Sequence, residues 1–526
     1  MGYHAQQMDR EINLDSIRAL EKQIQEHEST VIQLKRTRNS LLNVSTHLPP
    51  EILGNIFRWN VIPVGDFGGL LKRSYNFLLV CHHWYKVASR TPELWCSWGN
   101  TVRDWSKWYA RCGSAPLDLV LSGSEDLNLD DGLRDALQDR AARDTIRQVH
   151  LRSSNVGLLN SVISSVVAEG EETRSNSMES FILQNGGSRW DVDVSGFFSR
   201  YHLPKLQCLR LSGCTISTWD SLESRTTSLT TLSLDIGSQP QIPTLPHLLS
   251  ILSSNPNLQH IALANGSVPH ANGDGSSSQT QLRHLKRLHL THDFDRVFGL
   301  LNRLELPDKM DDLNLVLSKC SPSDLSQTLG PYIGDHVWRR GRSEGGLGLL
   351  AFSESTMFWI QVGDAYKSDE STRVEWFVTV EWTMGMTLEE EEADKLCFDV
   401  IARIPWKQVV DVTTNLPILH SVELCIQMCN LTHLHLCDVN VSTWFIEPDI
   451  HEPHTFNDLL PGLGFISITK PSLSGSDWGP FTNFLSHRAA IGSPIYSLRL
   501  SACPYVDEYV VERIKRVAKV SVDEGY

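Results

Sequence analysis

The chain has 526 residues, and its 62 acidic and 47 basic side chains give a formal charge of −15. This balance argues against a protein that covers the phosphates of a nucleic acid over its whole surface. Hydrophobic residues make up 41% and charged residues 21%, which is typical of a soluble globular protein. We therefore expect about two or three domains or one extended repeat array, with neither nucleic acid nor a membrane as a partner.

The chain also lacks the usual signals for export. Its amino terminus, MGYHAQQMDREINLD, has no apolar core of the secretory type, and no later run reaches the roughly 18 apolar residues of a membrane span. We therefore expect cytoplasmic and/or nuclear localisation. Eleven cysteines are spread singly, without a CxxC pair, so reduced and mostly buried thiols are expected.

Residues 1–45 form the first predicted region, an N-terminal helix. Between residues 11 and 44, apolar residues recur in alternating steps of three and four, as in a short coiled coil, and His27 and Arg38 interrupt the pattern. The apolar seam consists of Ile17, Leu20, Ile24, Val31, Leu34 and Leu41. Two alternatives stay open at this stage, self-association through this helix and folding of the helix back onto its own domain.

Residues 46–97 form the second predicted region, a small helical module. In THLPPEILGNIF, Pro50 suits the first turn of a helix and Glu51 suits its positive end. A second helix is predicted from apolar residues at helical spacing, which are Phe77, Val80, Cys81, Trp84 and Val87. Thr91 and Pro92 predict a capped start for a third helix, PELW.

The segment LPPEILGNIF followed by LLVCHHWYKVASRTPELW resembles the F-box, with its Leu-Pro-x-Glu-Ile-Leu opening, Val-Cys-x-x-Trp centre and Leu-Trp close. Within the next predicted region, a bridging segment at residues 98–145, the stretch WSKWYARCGSAPLDLVL resembles the segment that bridges to degenerate leucine-rich repeats in fungal F-box-like proteins. The resemblance implies a non-catalytic, substrate-recognition adaptor of a cullin-based, SCF-type ubiquitin ligase. Such an adaptor docks to the SKP-family adaptor and presents a protein substrate.

The number of apolar residues in this module supports docking independently of the resemblance. The helices carry more large apolar side chains than a fragment of about fifty residues can readily bury, so some of them are expected to face a partner. The predicted docking residues are Leu48, Pro49, Ile52, Leu53, Ile56, Phe57, Val80, Cys81, Trp84, Leu94 and Trp95.

Residues 146–526 form the third predicted region, an irregular repeat domain. The pattern L-x-x-L-x-L recurs in steps of 23 to 32 residues within each of two groups. It begins at Ile146, Met178, Leu206, Leu229, Leu258, Leu285, Met310, Leu431, Leu463 and Ile495. This spacing is close to the period of leucine-rich repeats and predicts an α/β solenoid in which neighbouring units stack their apolar residues.

The phase of the repeat strands also predicts a concave, polar surface. Residues that alternate with the buried leucines should project from this surface and contact a substrate. The candidates are Arg210, Ser233, Asp235, His289, Asn314, His435 and Arg499.

An insertion interrupts the repeats at residues 347–383. There, MFWIQV and VEWFVTVEW alternate apolar and polar residues around a polar turn, which predicts a β-hairpin. One face would carry Val374, Trp376, Val378, Val380 and Trp382. The hairpin is expected either to pack on the solenoid or to contact a substrate through an exposed aromatic edge. After the last repeat, DEYVVERIKRVAK predicts a helix that caps the array.

No sequence motif indicates catalysis. The chain has no Gly-x-Ser-x-Gly elbow, no phosphate-binding Gly-x-x-x-x-Gly-Lys and no His-Glu-x-x-His, so we expect neither an enzyme nor a cofactor. His433, His435 and Cys437 alternate along one strand and could approach a metal, but without the spacing of a known ligand pair we expect ordinary concave-face residues. The alternative to a ligase adaptor is a protein-interaction scaffold that uses the N-terminal helix and the repeats.

Overall fold

The computed structural model describes residues 2–42, 48–61, 75–99, 105–123, 131–138, 143–166, 173–174, 177–187, 192–236, 242–270, 279–340, 347–354, 357–368, 371–384, 390–416, 422–438, 460–471, 478–503, 506 and 508–523. The chain forms two compact units, Met1–Phe181 and Ile182–Tyr526.

The first unit begins with helices and continues into short strands. Its helices are α1 (Gly2–Leu42), α2 (Pro50–Val61), α3 (His82–Ser89), α4 (Trp105–Cys112), α5 (Asp131–Gln138) and α6 (Val156–Val166), with 3-10 turns at Tyr75–Leu79 and Pro92–Leu94. Its strands are β1 (Ser97–Gly99), β2 (Leu117–Gly123), β3 (Ile146–Ser153) and β4 (Thr173–Arg174).

Helix α1 exposes its apolar seam. Every side chain described on it, at residues 16–38 and 41, is exposed. Of the two alternatives for this helix, folding back would bury these residues, and the structure does not show that burial.

The parallel ladder of the first unit begins earlier than the sequence repeats. Strand β1 pairs in parallel with β2, and β2 pairs in parallel with β3. Arg147 on β3 joins this pairing, because its Nε and Nη2 atoms donate to the two carboxylate oxygens of Asp118 at 3.1 and 2.9 Å. Residues 98–145, predicted only as a bridge, therefore contribute a strand and two helices to the unit.

The second unit alternates strands and helices along most of its length. Its strands are β5 (Ser180–Asn185, which crosses the boundary), β6 (Tyr201–His202), β7 (Cys208–Cys214), β8 (Thr231–Ile236), β9 (His260–Asn265), β10 (Thr280–Gln281), β11 (Arg287–Asp293), β12 (Leu304–Glu305), β13 (Asp312–Cys320), β14 (Leu347–Glu354), β15 (Met357–Ser368), β16 (Ser371–Met384), β17 (Val409–Thr414), β18 (His433–Cys437), β19 (Phe465–Thr469), β20 (Ser497–Ser501) and β21 (Lys519–Asp523). Its helices are α7 (Ser195–Arg200), α8 (Trp219–Arg225), α9 (Leu245–Ser254), α10 (Phe294–Leu301), α11 (Gly330–Arg340, preceded by a turn at Pro322–Asp324 and a π-helical turn at Leu325–Leu329), α12 (Glu390–Ile401), α13 (Val422–Gln427), α14 (Gly479–Ala490) and α15 (Glu508–Lys515), with a 3-10 turn at Trp406–Gln408.

The strands of this unit confirm an α/β repeat-like fold. Each predicted repeat begins a strand, so β3, β5, β7, β8, β9, β11, β13, β18, β19 and β20 lie where the leucine pattern predicts them. In the ladder the order is β7-β8-β9-β11-β13-β16-β15-β14-β17-β18-β19-β20-β21. All of these strands run parallel except β15, which is antiparallel to both its neighbours.

Aligned apolar residues form the core of the ladder. One register row joins Leu209, Leu232, Ile261, Leu288, Leu313, Val378, Val362, Leu349, Val412, Leu434, Ile466 and Leu498, and all of them are buried. Because each strand alone exposes one edge of its apolar set, stacking the strands turns these positions into a continuous core.

The inserted segment belongs to the sheet rather than lying on it. Strand β16 pairs in parallel with β13, and β14 pairs in parallel with β17, so the insertion has a repeat strand on each side. Trp382 is fully buried and its ring stacks on Phe358 with centroids 5.3 Å apart. The insertion is therefore part of the sheet rather than packed on it, with Phe358 and Trp382 in the core and Trp359 half-buried. The side chain of Trp376 lies outside the described residues.

Several repeat strands end at a residue with left-handed backbone conformation. Asn265, Lys319, Asp438, Lys470 and Ala502 have φ between 49° and 56°, each within one residue of a strand end. The chain therefore has the same backbone conformation where it leaves each of these five strands, although the sequences of the repeat units differ.

The capping helix is present as α15, but it does not end the array. Strand β21 follows it and pairs in parallel with β20. Lys519, Ser521 and Asp523 alternate with the valines of this strand, so the L-x-x-L-x-L pattern does not reveal it.

Two further features concern the chain as a whole. Among the described helices, none combines the length and the apolar character needed to cross a membrane. All eleven cysteines are free thiols. Burial raises the pKa of Cys214, Cys320 and Cys425 to about 12, so these thiols stay protonated at neutral pH.

Candidate functional site

The inner side of the helical module of residues 46–97 is an aromatic core. Leu53 and Phe57, one turn apart on α2, are buried. The ring of Phe57 stacks on Phe77 with centroids 4.6 Å apart and lies 5.1 Å from that of Trp84. Arg58 forms an ion pair with Glu93, which joins the end of α2 to the turn Pro92–Leu94. These contacts hold α2, α3 and the two short turns together.

Trp95 fixes the end of this module. Its Nε1 atom donates to the carbonyl of Ala88 at 2.8 Å, and its ring meets Trp108 edge-on with centroids 4.9 Å apart. Arg111 lies over the same ring, 4.3 Å from its centroid, in a cation–π contact. Leu94 and Trp95 are both buried, so the Leu-Trp pair contributes to the core.

The outer side of the module exposes apolar side chains. On α2, Ile52, Ile56 and Trp59 follow one helical face and are 48%, 40% and 79% exposed. Leu79, Val80 and Tyr85 are also exposed, around the start of α3. We call these six residues the apolar patch. Large apolar groups exposed together are typical of a surface that another protein covers.

The predicted docking residues therefore divide between core and surface. Those that are buried are Leu53, Phe57, Leu94 and Trp95, those that are half-buried are Leu48, Cys81 and Trp84, and those that are exposed are Pro49, Ile52, Ile56 and Val80. The sequence prediction missed Trp59, Leu79 and Tyr85. Trp59 could have been found, because it lies seven residues after Ile52 on the same helical face.

Two local details differ from the sequence prediction. The second helix is interrupted, because a 3-10 turn at Tyr75–Leu79 precedes α3 and Cys81 is the residue that caps it. The sulfur of Cys81 accepts a hydrogen bond from the Trp84 amide at 3.5 Å. Thr91 makes no side-chain cap, because its hydroxyl donates to the carbonyl of Val87 at 2.9 Å.

The second candidate site is the half-exposed face of the ladder in Ile182–Tyr526. One register row there joins Arg210, Ser233, Ala262, His289, Asn314, Thr379, Gln361, Leu350, Thr413, His435, Ser467, Arg499 and Ser521. We call it the central polar row. It contains all of the predicted contact residues except Asp235, which lies in the next row, beside Ser212.

Some members of this face are already engaged with neighbours. Asp235 accepts hydrogen bonds from the hydroxyl of Ser212 at 2.9 Å and from the amide of Asn265 at 2.5 Å. His289 Nε2 lies 2.9 Å from the hydroxyl of Thr291. Burial lowers the pKa of His289 below its ordinary value, and Asp312 opposes the shift. Arg210 and Arg499 are exposed near the two ends of the row.

Two of the three residues considered as metal ligands, His433 and His435, contact other side chains. The ring of His433 stacks on Phe465 with centroids 4.5 Å apart, and His435 Nε2 lies 3.7 Å from Asp411 Oδ2. Burial raises the pKa of Cys437. In the part of the chain that the structure describes, no three His, Cys, Asp or Glu residues are grouped as a metal site would require.

Comparison with known proteins yields structural similarity alone. No protein-family model matches the chain, and no curated protein matches it. Among solved structures, the chain is similar to the receptor chain in the crystal structure of a TLR13-ssRNA13 complex, at 10% sequence identity and a TM-score of 0.27. The match covers 82% of this chain and 55% of that one, so the chain spans about half the length of the matched protein.

Proposed function

We propose that this chain is the substrate-recognition adaptor of a cullin-based ubiquitin ligase, docking through the apolar patch to an SKP-family adaptor. The observation that carries the proposal is the face of α2 on which Ile52, Ile56 and Trp59 are exposed. The adjacent face of the same helix, with Leu53 and Phe57, already supplies the core of the module. The exposed residues are therefore available to a partner without loss of the fold.

The free energy gained by burying the patch is comparable in size with the free-energy cost of association. Fully burying one large apolar side chain contributes about 1.5 to 3 kcal/mol. Association costs on the order of 4 to 15 kcal/mol in lost translational and rotational freedom. Covering three to five members of the patch would offset much of this cost, and polar contacts around it would complete the binding energy.

The proposed substrate surface is the central polar row. Its residues whose side chains are described alternate with buried ones, so they offer side chains for contact on one face of the sheet. An adaptor of this kind makes no covalent bond. It raises the rate of ubiquitin transfer by holding a substrate near the charged conjugating enzyme.

Binding of the full chain to a purified SKP-family adaptor tests the proposal. The variants Ile52→Asp and Ile56→Asp each place a charge in the proposed interface, and we expect each to weaken binding about tenfold or more, since 1.4 kcal/mol corresponds to a tenfold change. Ala110→Asp is the matched control, because it adds the same charge to an exposed residue of α4 that lies outside the apolar patch. It should change binding by less than about threefold.

Leu53→Asp is unsuitable for this test, because Leu53 is completely buried and a charge there would unfold the module. Circular dichroism of Ile52→Asp and Ile56→Asp should match that of the unmodified chain. If the unmodified chain does not bind the adaptor, the docking proposal is wrong and a non-ligase interaction scaffold is the better description. Equal binding of Ile56→Asp and Ala110→Asp would also contradict it.

A further inference from the structure

Helix α1 divides its charge unevenly along its length. From residue 2 to residue 28 it has six acidic and three basic residues, and from 29 to 42 it has three basic residues and no acidic one. Glu21, Glu26 and Glu28 lie in the acidic part, and Lys35 and Arg36 lie in the basic part. Two such helices attract each other when they run in opposite directions, because each acidic part then meets a basic part.

The apolar seam of the same helix is exposed, and a partner helix would bury it. Ile17, Leu20 and Ile24 are each about half-exposed or more, as are Val31, Leu34 and Leu41. Their spacing of three and four residues is that of a coiled coil, in which the seam of one helix is covered by the seam of another. A second copy of α1 is a suitable partner helix, because it supplies both the apolar spacing and the complementary charge.

The two interruptions of the seam favour the antiparallel direction as well. In a parallel, in-register pair, Arg38 would face the second copy's Arg38 across the seam. In an antiparallel pair with Ile24 opposite the second copy's Leu34, Arg38 lies instead opposite Leu20, where its long stem can cover apolar surface while the charge reaches water. His27 then lies opposite Val31.

This register brings specific charges together at the flanks of the seam. Glu21 and Lys35 both flank the seam on its same side, at positions where coiled coils form ion pairs between helices. In the antiparallel pair, Glu21 meets the second copy's Lys35, and symmetry repeats that ion pair. Glu28 meets the second copy's Glu28 near the symmetry axis, which is a single repulsive contact.

We propose that α1 joins two copies of this chain in an antiparallel coiled coil. The four heptads and two polar interruptions specify a dimer of moderate stability. The proposal does not depend on docking to an SKP-family adaptor. If both hold, the assembly carries two docking modules and two repeat surfaces.

Sedimentation equilibrium of the full chain over a range of concentrations tests whether the pair forms. We expect a reversible monomer–dimer equilibrium for the unmodified chain and a monomer for Ile24→Asp. Gln25→Asp is the control, because Gln25 is exposed on the same turn outside the seam, and it should still dimerise. A monomer at every concentration for the unmodified chain would overturn the proposal.

Charge reversal tests the direction. Glu21→Lys and Lys35→Glu should each raise the dissociation constant about tenfold, since each converts two attractive pairs into repulsive ones. The double variant Glu21→Lys/Lys35→Glu should return to within about threefold of the unmodified chain. Glu26→Lys is the matched control, because it makes the same charge change outside the seam.

Glu28→Gln gives an independent check, because it removes the repulsion at the axis and should tighten the dimer. The antiparallel arrangement is wrong if the double variant is as weak as the single ones, or if the single variants dimerise like the unmodified chain. Binding of these variants to the SKP-family adaptor should be unchanged, which separates this proposal from the proposed function.

Discussion

Gly213, near the end of β7, has a backbone conformation that few other residues adopt, with φ of +70°. A Cβ at this position would collide with the carbonyl of Asn185 and lie 2.9 Å from the Cβ of that residue. Gly213→Ala should therefore destabilise the repeat unit by roughly 3 kcal/mol, through left-handed strain and overpacking together. Urea unfolding measures this change. Gly186→Ala is the control, because no atom lies within 4 Å of its added Cβ, and an equal loss there would contradict the explanation.

His289 links the polar face to the pH dependence of stability. Burial lowers its pKa below the ordinary value of 6.5. At a pH between the two values, the unfolded chain binds a proton that the folded chain does not, so stability falls as the pH drops through 6.5. His292 and His260 have pKa values lowered first by burial as well, so they add to the same loss.

We predict that lowering the pH from about 7.5 to about 5.5 decreases the free energy of unfolding less in His289→Gln than in the unmodified chain. The remaining histidines keep part of the dependence. Urea midpoints at both pH values and constant ionic strength measure the difference. If the urea midpoint shifts by the same amount between the two pH values in His289→Gln and in the unmodified chain, His289 does not contribute to the pH dependence of stability.

At the scale of elements, the sequence pattern predicts which residues share a helical face better than it predicts which of them are buried. The stripe on α2 combines Leu53 and Phe57 with Ile52 and Ile56, and helical spacing alone gives all four the same status. The structure separates them, because Phe77 and Trp84 cover one side of the helix and leave the other open. Which side is covered depends on where Phe77 and Trp84 pack, and the spacing of apolar residues within α2 does not encode that choice.

The inserted strands show the same limit. Alternating residues predict β15 and β16 correctly, because every second residue from Val378 to Trp382 is buried. The third strand, β14, and its parallel pairing with β17 are not evident in the sequence, since pairing partners of a strand are set by the whole sheet. Once Val378, Val362 and Leu349 extend the apolar row of the repeats, the insertion continues the core instead of interrupting it.

At the scale of the molecule, repeat phase predicts which face a residue occupies, and register determines which residues are neighbours. Arg210, His289 and Arg499 were assigned to one face from strand phase, and the ladder places them in one row. Asp235 has the same phase but lies one row further on, because Ser233 is the residue of β8 that pairs with Arg210. The sequence could not show how β14, β15 and β16 join the two blocks of repeats.

The ladder also predicts how the effect of a destabilising substitution spreads through the second unit. In a repeat array each strand contacts only its neighbours, so stability is lost locally first. Leu263 on β9 is buried, and β9 pairs with β8 and β11. Leu263→Ala should cost about 2 to 5 kcal/mol at that site.

Hydrogen–deuterium exchange measured by mass spectrometry resolves this spread. We expect the amides of β8, β9 and β11 to exchange about tenfold faster or more in Leu263→Ala, while those of β19 and β20 change by less than about threefold. Leu436→Ala on β18 is the mirror variant, because Leu436 is also fully buried and β18 pairs with β17 and β19. Its effect should centre on those two strands. If both variants accelerated exchange equally along the whole ladder, the second unit would unfold as one cooperative block, and the insertion would couple the repeats on its two sides.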